Sequence, residues 1–224
     1  MEKFKIQNSK FKIIVFILLF TFHFSLFTFS AYAHDDNLGE ARIHPASPLY
    51  FLKSVREILE LKFAGATHIR ALRNLEFTTR RIREVKSLVK TSRQDLIEPT
   101  LERYWATLSE LKGLVNLKDE ITVSQVSGAA ASQMAALQDI YYQVSDPRAK
   151  RSLRTAINRV SEWEQQMIVQ LNLFKQYSQA QQVMTSKLSA CNFLAQEASN
   201  SALNEVEKTV WSQRAQKCLT PTPN

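Results

Sequence analysis

Apolar side chains recur at alternating intervals of three and four residues along most of the chain beyond residue 47. Because an α-helix turns once every 3.6 residues, this spacing places them on one face of a helix. The 224 residues include only four glycines and six prolines. β-Sandwiches and α/β barrels need many turns, which use these two residues heavily. The sequence therefore predicts an all-α protein, an elongated helical bundle of about five or six helices with a C-terminal helical hairpin.

The first predicted helix opens at Ser47-Pro48 and ends at Gly65. Serine is a good N-cap, and proline suits the first helical position because its missing N–H needs no partner there. Glycine is common just beyond a helix, where it adopts a left-handed conformation. We expect the apolar stripe of this helix to face the core: Leu49, Leu52, Val55, Ile58 and Leu59.

Further helices follow by the same criteria, at about 68–91, 95–118 and 124–145. Thr67 is the predicted cap of the first of these, and Pro99 is expected in the first turn of the second. A long helical stretch begins at Asp146-Pro147, with a bend or hairpin expected near 176–182. Asn204 and Glu207 have capping-box spacing and predict a last helix that ends near Cys218.

The first 33 residues have the three parts of a secretory signal peptide. Four lysines precede an uncharged segment, 13–30, and Ala31-Tyr32-Ala33 then forms a small-x-small cleavage site. We expect cleavage between Ala33 and His34. An uncleaved membrane anchor is the alternative, because 18 apolar or hydroxylic residues nearly span a bilayer. Either way, the remaining chain is predicted to lie outside the cytoplasm, secreted or associated with the cell envelope.

Cys191 and Cys218 are the two cysteines of the chain. In an exported protein such a pair usually forms a disulfide. With a turn near residue 202, however, the two positions are offset by about 8 Å along antiparallel helices. A disulfide is the favoured interpretation, and two buried thiols are the alternative.

Catalytic constellations are not apparent in the sequence. The histidines beyond the leader are His34, His44 and His68, so none follows residue 68 to activate Cys191 or a C-terminal serine. No cluster of residues has the spacing of metal ligands. We therefore expect no enzyme activity, no catalytic residues, no metal and no cofactor.

Basic residues are distributed unevenly along the chain. Residues 68–93 carry eight basic and two acidic side chains, whereas residues 94–147 carry three basic and eight acidic ones. One interpretation is a cationic face for an anionic polymer or membrane surface. The favoured one is that helices of opposite charge pack beside each other, and specific nucleic-acid recognition is not expected. The candidate contacts for an anionic surface are Arg70, Arg73, Arg80, Arg81 and Arg83.

The opening of the first helix resembles that of an uncharacterised bacterial domain family, found in exported or membrane-attached proteins. Its motif here is Ser47-Pro48-Leu49-Tyr50-Phe51-Leu52-Lys53, followed by Glu57. A second family element is matched in character by Arg81, Ile82 and Glu84. The resemblance implies an exported helical domain, and it supplies no activity or catalytic residue. We expect Lys53 to pair with Glu57, and Arg81 and Glu84 to anchor the first helix on the second.

These features give a predicted domain organisation. A signal peptide (1–33) and a flexible lead-in (34–46) precede a helical domain resembling this family (47–160). A continuation of the long helix with the C-terminal hairpin (161–219) and a disordered tail (220–224) complete the chain. The predicted function is that of an exported, non-enzymatic structural or protein-interaction module of the envelope. The alternative is a binder of anionic polymers or membrane surfaces through the basic helix 68–93; the partner and the oligomeric state remain open.

Overall fold

The computed structural model describes residues 38–220, and seven α-helices form this part of the chain. They are α1 (Tyr50–Phe63), α2 (Thr67–Lys90), α3 (Ile97–Leu114), α4 (Glu120–Gln143), α5 (Pro147–Leu173), α6 (Tyr177–Ala198) and α7 (Glu205–Leu219). A short 3-10 helix, Gln94–Leu96, precedes α3. Within these residues there is no strand, so the predicted all-α helical bundle is confirmed, with slightly more helices than expected.

One hydrophobic core joins helices α2 to α7. Helix α2 packs against α3 and α4, α6 packs against α4 and α5, and α7 packs against α6. The apolar residues of α2 that recur at intervals of three and four face this core, and Leu75, Ile82 and Val85 are almost fully buried. Also almost fully buried in this core are Leu108 of α3, Leu137 of α4 and Ile157 of α5. In contrast, no residue of α1 belongs to the core.

Two predicted helix starts have the expected capping contacts. The Asp146 carboxylate accepts a hydrogen bond from the backbone N–H of Ala149 at 2.7 Å, and Pro147 occupies the first turn of α5. Asn204 and Glu207 form the capping box that opens α7. Such contacts satisfy N–H groups that have no partner within the helix.

Three other predictions about helix ends are wrong. Ser47 does not cap α1, which begins at Tyr50; its hydroxyl instead accepts a hydrogen bond from the N–H of His44. Thr67 is the first residue of α2 and makes no side-chain cap. Gly65 does not adopt a positive φ, so it is not a left-handed cap.

The lead-in is ordered where the structure describes it, from residue 38. Ala41 donates its backbone N–H to the hydroxyl of Ser87 at 2.8 Å, and the ammonium of Lys86 donates to the carbonyl of Leu38 at 3.2 Å. The Leu38 side chain is buried in the core. Where a flexible lead-in was expected, these contacts place residues 38–41 along α2.

The long C-terminal helical stretch breaks where the polar run begins. Helix α5 ends at Leu173, Lys175 adopts a left-handed φ of 60°, and α6 begins at Tyr177. A left-handed residue cannot continue a right-handed helix, so the chain reverses here. The predicted division at residue 160 falls within α5, which runs through it without interruption.

Cys191 of α6 and Cys218 of α7 form a disulfide, with their Cα atoms 5.5 Å apart. The expected offset between the two positions is real, because Cys191 lies closer to the end of its helix than Cys218 lies to the start of its own. The connection 199–204 bridges it, since six residues of non-helical chain easily span about 9 Å.

Several predictions concern residues outside the described part of the chain. These are the signal peptide, its cleavage between Ala33 and His34, and the tail beyond Thr220. Between residues 38 and 220, none of the helices combines the length and the apolar character needed to cross a membrane.

Candidate functional site

Helix α1 contacts α2 through polar side chains. The ammonium of Lys53 lies 2.6 Å from a carboxylate oxygen of Glu84, and the hydroxyl of Tyr50 donates to the other oxygen at 3.1 Å. Glu84 is fully buried. Lys53 also donates to the carbonyl of Ile43 at 3.1 Å, so the same side chain fixes the lead-in. The expected pair of Lys53 with Glu57 is not formed, because Lys53 points towards Glu84.

Two consecutive arginines of α2 complete this contact. Arg81 donates to Glu84 at 2.5 Å and forms an ion pair with Glu57, the buried carboxylate of α1. Arg80 forms an ion pair with Glu76 of its own helix and lies 3.3 Å from Glu60. We call the set of side chains that joins α1 to α2 the charged clasp: Tyr50, Lys53, Glu57, Arg80, Arg81 and Glu84.

Two groups of the clasp, Arg81 and Tyr50, have raised pKa values. Burial alone would lower the pKa of the Arg81 guanidinium, but the carboxylates of Glu84 and Glu57 raise it above its usual value. Burial and the charge of Glu84 together raise the pKa of Tyr50 to about 12. Tyr50 is therefore a neutral donor and Arg81 a permanent cation at any physiological pH, so the clasp does not depend on the titration of either.

The opposite face of α1 is apolar and exposed. The stripe expected to face the core faces solvent instead, which reverses that prediction for all five of its residues. Ile58 is 65% exposed and Phe63 79%. The whole surface, here called the outer face of α1, consists of Leu49, Phe51, Leu52, Val55, Ile58, Leu59 and Phe63. Monomeric proteins rarely expose contiguous apolar patches larger than a few hundred Å², and larger ones mark interaction sites.

Cations accompany the outer face of α1. Residues 61–75 include Lys62, Arg70 and Arg73 and no carboxylate. Lys62 and Arg70 are exposed and form no ion pair within residues 38–220. The two carboxylates of α1, Glu57 and Glu60, lie on its inner side beside Arg80. The outer face therefore has an exposed cation, Lys62, on its own helix, and both carboxylates of that helix lie on the other side.

The five arginines proposed as an anionic-surface contact do not form one patch. Arg80 and Arg81 belong to the charged clasp, and Arg73 lies 2.9 Å from Glu76. Arg70 and Arg83 are exposed, but they are thirteen positions apart, which places them about 140° apart around the helix. The carboxylates that pair with the arginines of α2 come from α1 and from α2 itself. The acidic residues of 94–147 instead meet the later basic block, through Arg148–Glu98 and Arg159–Glu102.

A small pocket between α3 and α5 has a volume of about 180 Å³. Its polar lining includes Arg151 and Arg159, but these pair with Glu207 and Glu102. Ligand pockets are usually larger, at about 300–1,000 Å³, and offer polar groups that are not already paired. Across the described residues, no three His, Cys, Asp or Glu side chains come together in a way that could hold a metal ion.

Two further buried polar groups join helices within the bundle. Arg154 of α5 lies 3.1 Å from Glu197 of α6, and donates to the hydroxyl of Tyr141 of α4 at 3.0 Å. Glu164 of α5 is fully buried and accepts from the hydroxyl of Ser186 at 2.6 Å. Burial raises the pKa of Glu164 to about 8, although Ser186 and Lys187 oppose this. Neither group lines the pocket between α3 and α5.

The fold and this surface define a helical bundle that carries a peripheral helix with its apolar face outward. Residues 42–147 match the family model described as a domain of unknown function, DUF5667. The resemblance to a family of unknown function, expected from the opening motif, is thereby confirmed for this part of the chain. The match begins in the lead-in, covers α1 to α4 and ends at the first residue of α5. Among curated proteins and solved structures, neither comparison gives a match.

Sequence reasoning found the residues of the clasp but not the orientation of α1. Tyr50, Lys53, Glu57, Arg81 and Glu84 all contributed to the family resemblance, and they meet in the structure. Leu49 and Leu52, from the same motif, are on the outer face. One signal was present: Tyr50, Lys53 and Glu57 have helical spacing of their own, complementary in charge to Arg81 and Glu84.

Proposed function

We propose that this protein is an exported, non-enzymatic interaction module of the cell envelope, and that the outer face of α1 is its contact surface. The observation that carries the proposal is the orientation of α1. An amphipathic helix normally buries its apolar stripe, because burial of each large apolar side chain is worth about 1.5–3 kcal/mol. Here the charged clasp fixes the polar side inward and leaves the apolar stripe available to a partner.

Export is supported by the leader and by the cysteines. Residues 1–33 have the sequence pattern of a signal peptide. The disulfide between Cys191 and Cys218 is compatible with an oxidising compartment outside the cytoplasm.

The absence of catalytic function is part of the proposal. The pocket between α3 and α5 is small, and its arginines are already paired. Glu164 has the raised pKa that an acid–base catalyst can have, but it lies fully buried beside Ser186. A catalytic group must reach its substrate within hydrogen-bond distance.

Site-specific photo-crosslinking in the producing cell tests the proposal. A photoreactive amino acid replaces Ile58 on the outer face of α1, and in a matched chain it replaces Val206, which is 74% exposed on α7. We expect to find the protein in the envelope fraction, with the mass of a chain whose first residue is His34. We also expect crosslinked products from position 58 that position 206 does not give.

Two results would contradict the proposal. One is a cytoplasmic protein that retains residues 1–33. The other is a set of products from position 58 that is empty, or the same as that from position 206.

A further inference from the structure

We propose that the outer face of α1 binds the surface of an anionic lipid bilayer, with the helix axis parallel to the membrane. This inference rests on the proposed function and names the partner of the same surface. Amphipathic helices bind membranes in this way when one face is apolar and cations lie beside it. The shape, the charge and the fixed rotation of α1 each support it.

The shape of the outer face is that of a ridge. At 100° per residue, its side chains from Ile58 round to Phe63 cover about 140° of the helix circumference. This is wider than the two-position seam by which a helix packs in a coiled coil. The helix has 14 residues and is about 21 Å long. A broad convex apolar ridge fits a deformable surface, which contacts all of it at once.

The charge beside the ridge favours lipid over a second copy of this chain. Lys62 lies within the apolar arc and Arg70 follows it in α2, and residues 61–75 contain no carboxylate. Two outer faces brought together would offer these cations no carboxylate, because both carboxylates of α1 lie on its inner side. Anionic headgroups attract each of them, and the long stem of Lys62 can lie along the apolar surface while its ammonium reaches the headgroups.

The rotation of α1 is fixed before any membrane is present. Glu57 pairs with Arg81 and Lys53 with Glu84, both on the side away from the outer face. The apolar residues are therefore exposed without any rearrangement of the bundle. Binding needs no opening of the core, because none of the outer-face residues belongs to it.

Vesicle flotation tests the apolar part of the inference. The core residues all lie between Leu38 and Ala215, so the chain that starts at His34 contains the whole core. It is mixed with vesicles of phosphatidylglycerol and phosphatidylcholine in equal parts. We expect binding, and a loss of about a hundredfold in the double variant Phe51→Ser/Ile58→Ser. The matched control is Leu173→Ser/Val206→Ser, at equally exposed apolar positions elsewhere, which should bind like the original chain.

A second pair of variants tests the charge. Lys62→Gln/Arg70→Gln should weaken binding to the anionic vesicles by about thirtyfold, at about fivefold for each charge. Arg83→Gln/Lys217→Gln removes two exposed cations away from the outer face and should leave binding unchanged. Pure phosphatidylcholine vesicles should bind the original chain as weakly as they bind Lys62→Gln/Arg70→Gln.

Three results would overturn the inference. The first is that the original chain fails to float with anionic vesicles. The second is that Phe51→Ser/Ile58→Ser and the control Leu173→Ser/Val206→Ser lose vesicle binding equally. The third is that the chain binds no vesicles but forms a dimer in solution, which Phe51→Ser/Ile58→Ser dissociates. The last result assigns the face to a second copy. If position 58 crosslinks to protein in the cell and never to lipid, this inference fails and the proposed function stands. If it crosslinks to nothing, both fail.

Discussion

The substitution Glu84→Gln tests whether the charged clasp holds α1 on the bundle. Glu84 is fully buried and accepts from Lys53 at 2.6 Å, Arg81 at 2.5 Å and Tyr50 at 3.1 Å. Glutamine has nearly the same volume but no charge, and its amide donors oppose the two cations. No apolar residue of α1 is in the core, so little else resists the loss.

The expected cost follows from the partners of Glu84. Removing one member of a buried ion pair costs about 3–5 kcal/mol, because the other charge remains buried. Here the lower end applies, since Arg81 keeps its pair with Glu57 and the side chain of Lys53 is 12% exposed and can reach water. We therefore expect a loss of about 3 kcal/mol in the free energy that keeps α1 docked. This corresponds to roughly a hundredfold faster hydrogen exchange of its amides.

Hydrogen exchange read by mass spectrometry measures this effect helix by helix. Peptides from α1 should lose protection, while those around Ala190 and Leu194 of α6, both fully buried, should keep theirs. Glu110→Gln is the control, because Glu110 is exposed and forms no ion pair within residues 38–220. Unchanged protection of α1 in Glu84→Gln would refute the reasoning. So would a loss in α6 as large as that in α1, because it would mean that Glu84 stabilises the whole bundle.

Three further predictions concern the bundle itself. Replacing both Cys191 and Cys218 by serine should lower the free energy of unfolding by about 3–4 kcal/mol, because the disulfide, which joins residues 27 positions apart, no longer restricts the unfolded chain. The same replacement should abolish the effect of reductant on the melting temperature. In denaturant titrations, the protein should lose stability as pH rises from about 5 to about 8. In that range Glu164 is ionised in the unfolded chain and still protonated in the folded one. The expected slope is at most about 1.4 kcal/mol per pH unit, and Glu164→Gln should flatten it. Gly65→Ala should stabilise the protein by about 0.4–1 kcal/mol in thermal unfolding, since no atom lies within 4 Å of the added Cβ and φ is not positive; destabilisation would indicate a left-handed cap in solution.

The helices themselves could be predicted from the sequence with few errors. Asp146-Pro147 and the Asn204–Glu207 box are local signals, because their side chains satisfy N–H groups within the same turn. The failures at Ser47 and Thr67 have a local cause too. An N-cap residue must itself have an extended backbone. Ser47 lies in a turn, and Thr67 is already helical, with the extended Ala66 in the N-cap position.

The disulfide and the lead-in depended on longer connections. The spacing of Cys191 and Cys218 left the pairing open, because it predicts an offset between the two positions. In the structure, the loop at 199–204 bridges this offset and the disulfide forms. Residues 38–46 have no helical pattern and looked flexible. Their order comes from hydrogen bonds to Ser87 and Lys86, more than forty residues away, which a local pattern does not reveal.

By itself, the sequence determined that this chain forms helices, where most of them begin and end, and which face of α2 to α5 enters the core. These outcomes follow from periodicity and local hydrogen bonds, and every apolar stripe of those helices finds another to pack against. Only the tertiary structure decided the orientation of α1. That helix has two competing faces, one apolar and one that matches the buried charges of Arg81 and Glu84. An uncompensated buried charge costs more than an exposed apolar stripe. The charged face therefore turned inward and left Phe51, Ile58 and their neighbours at the surface.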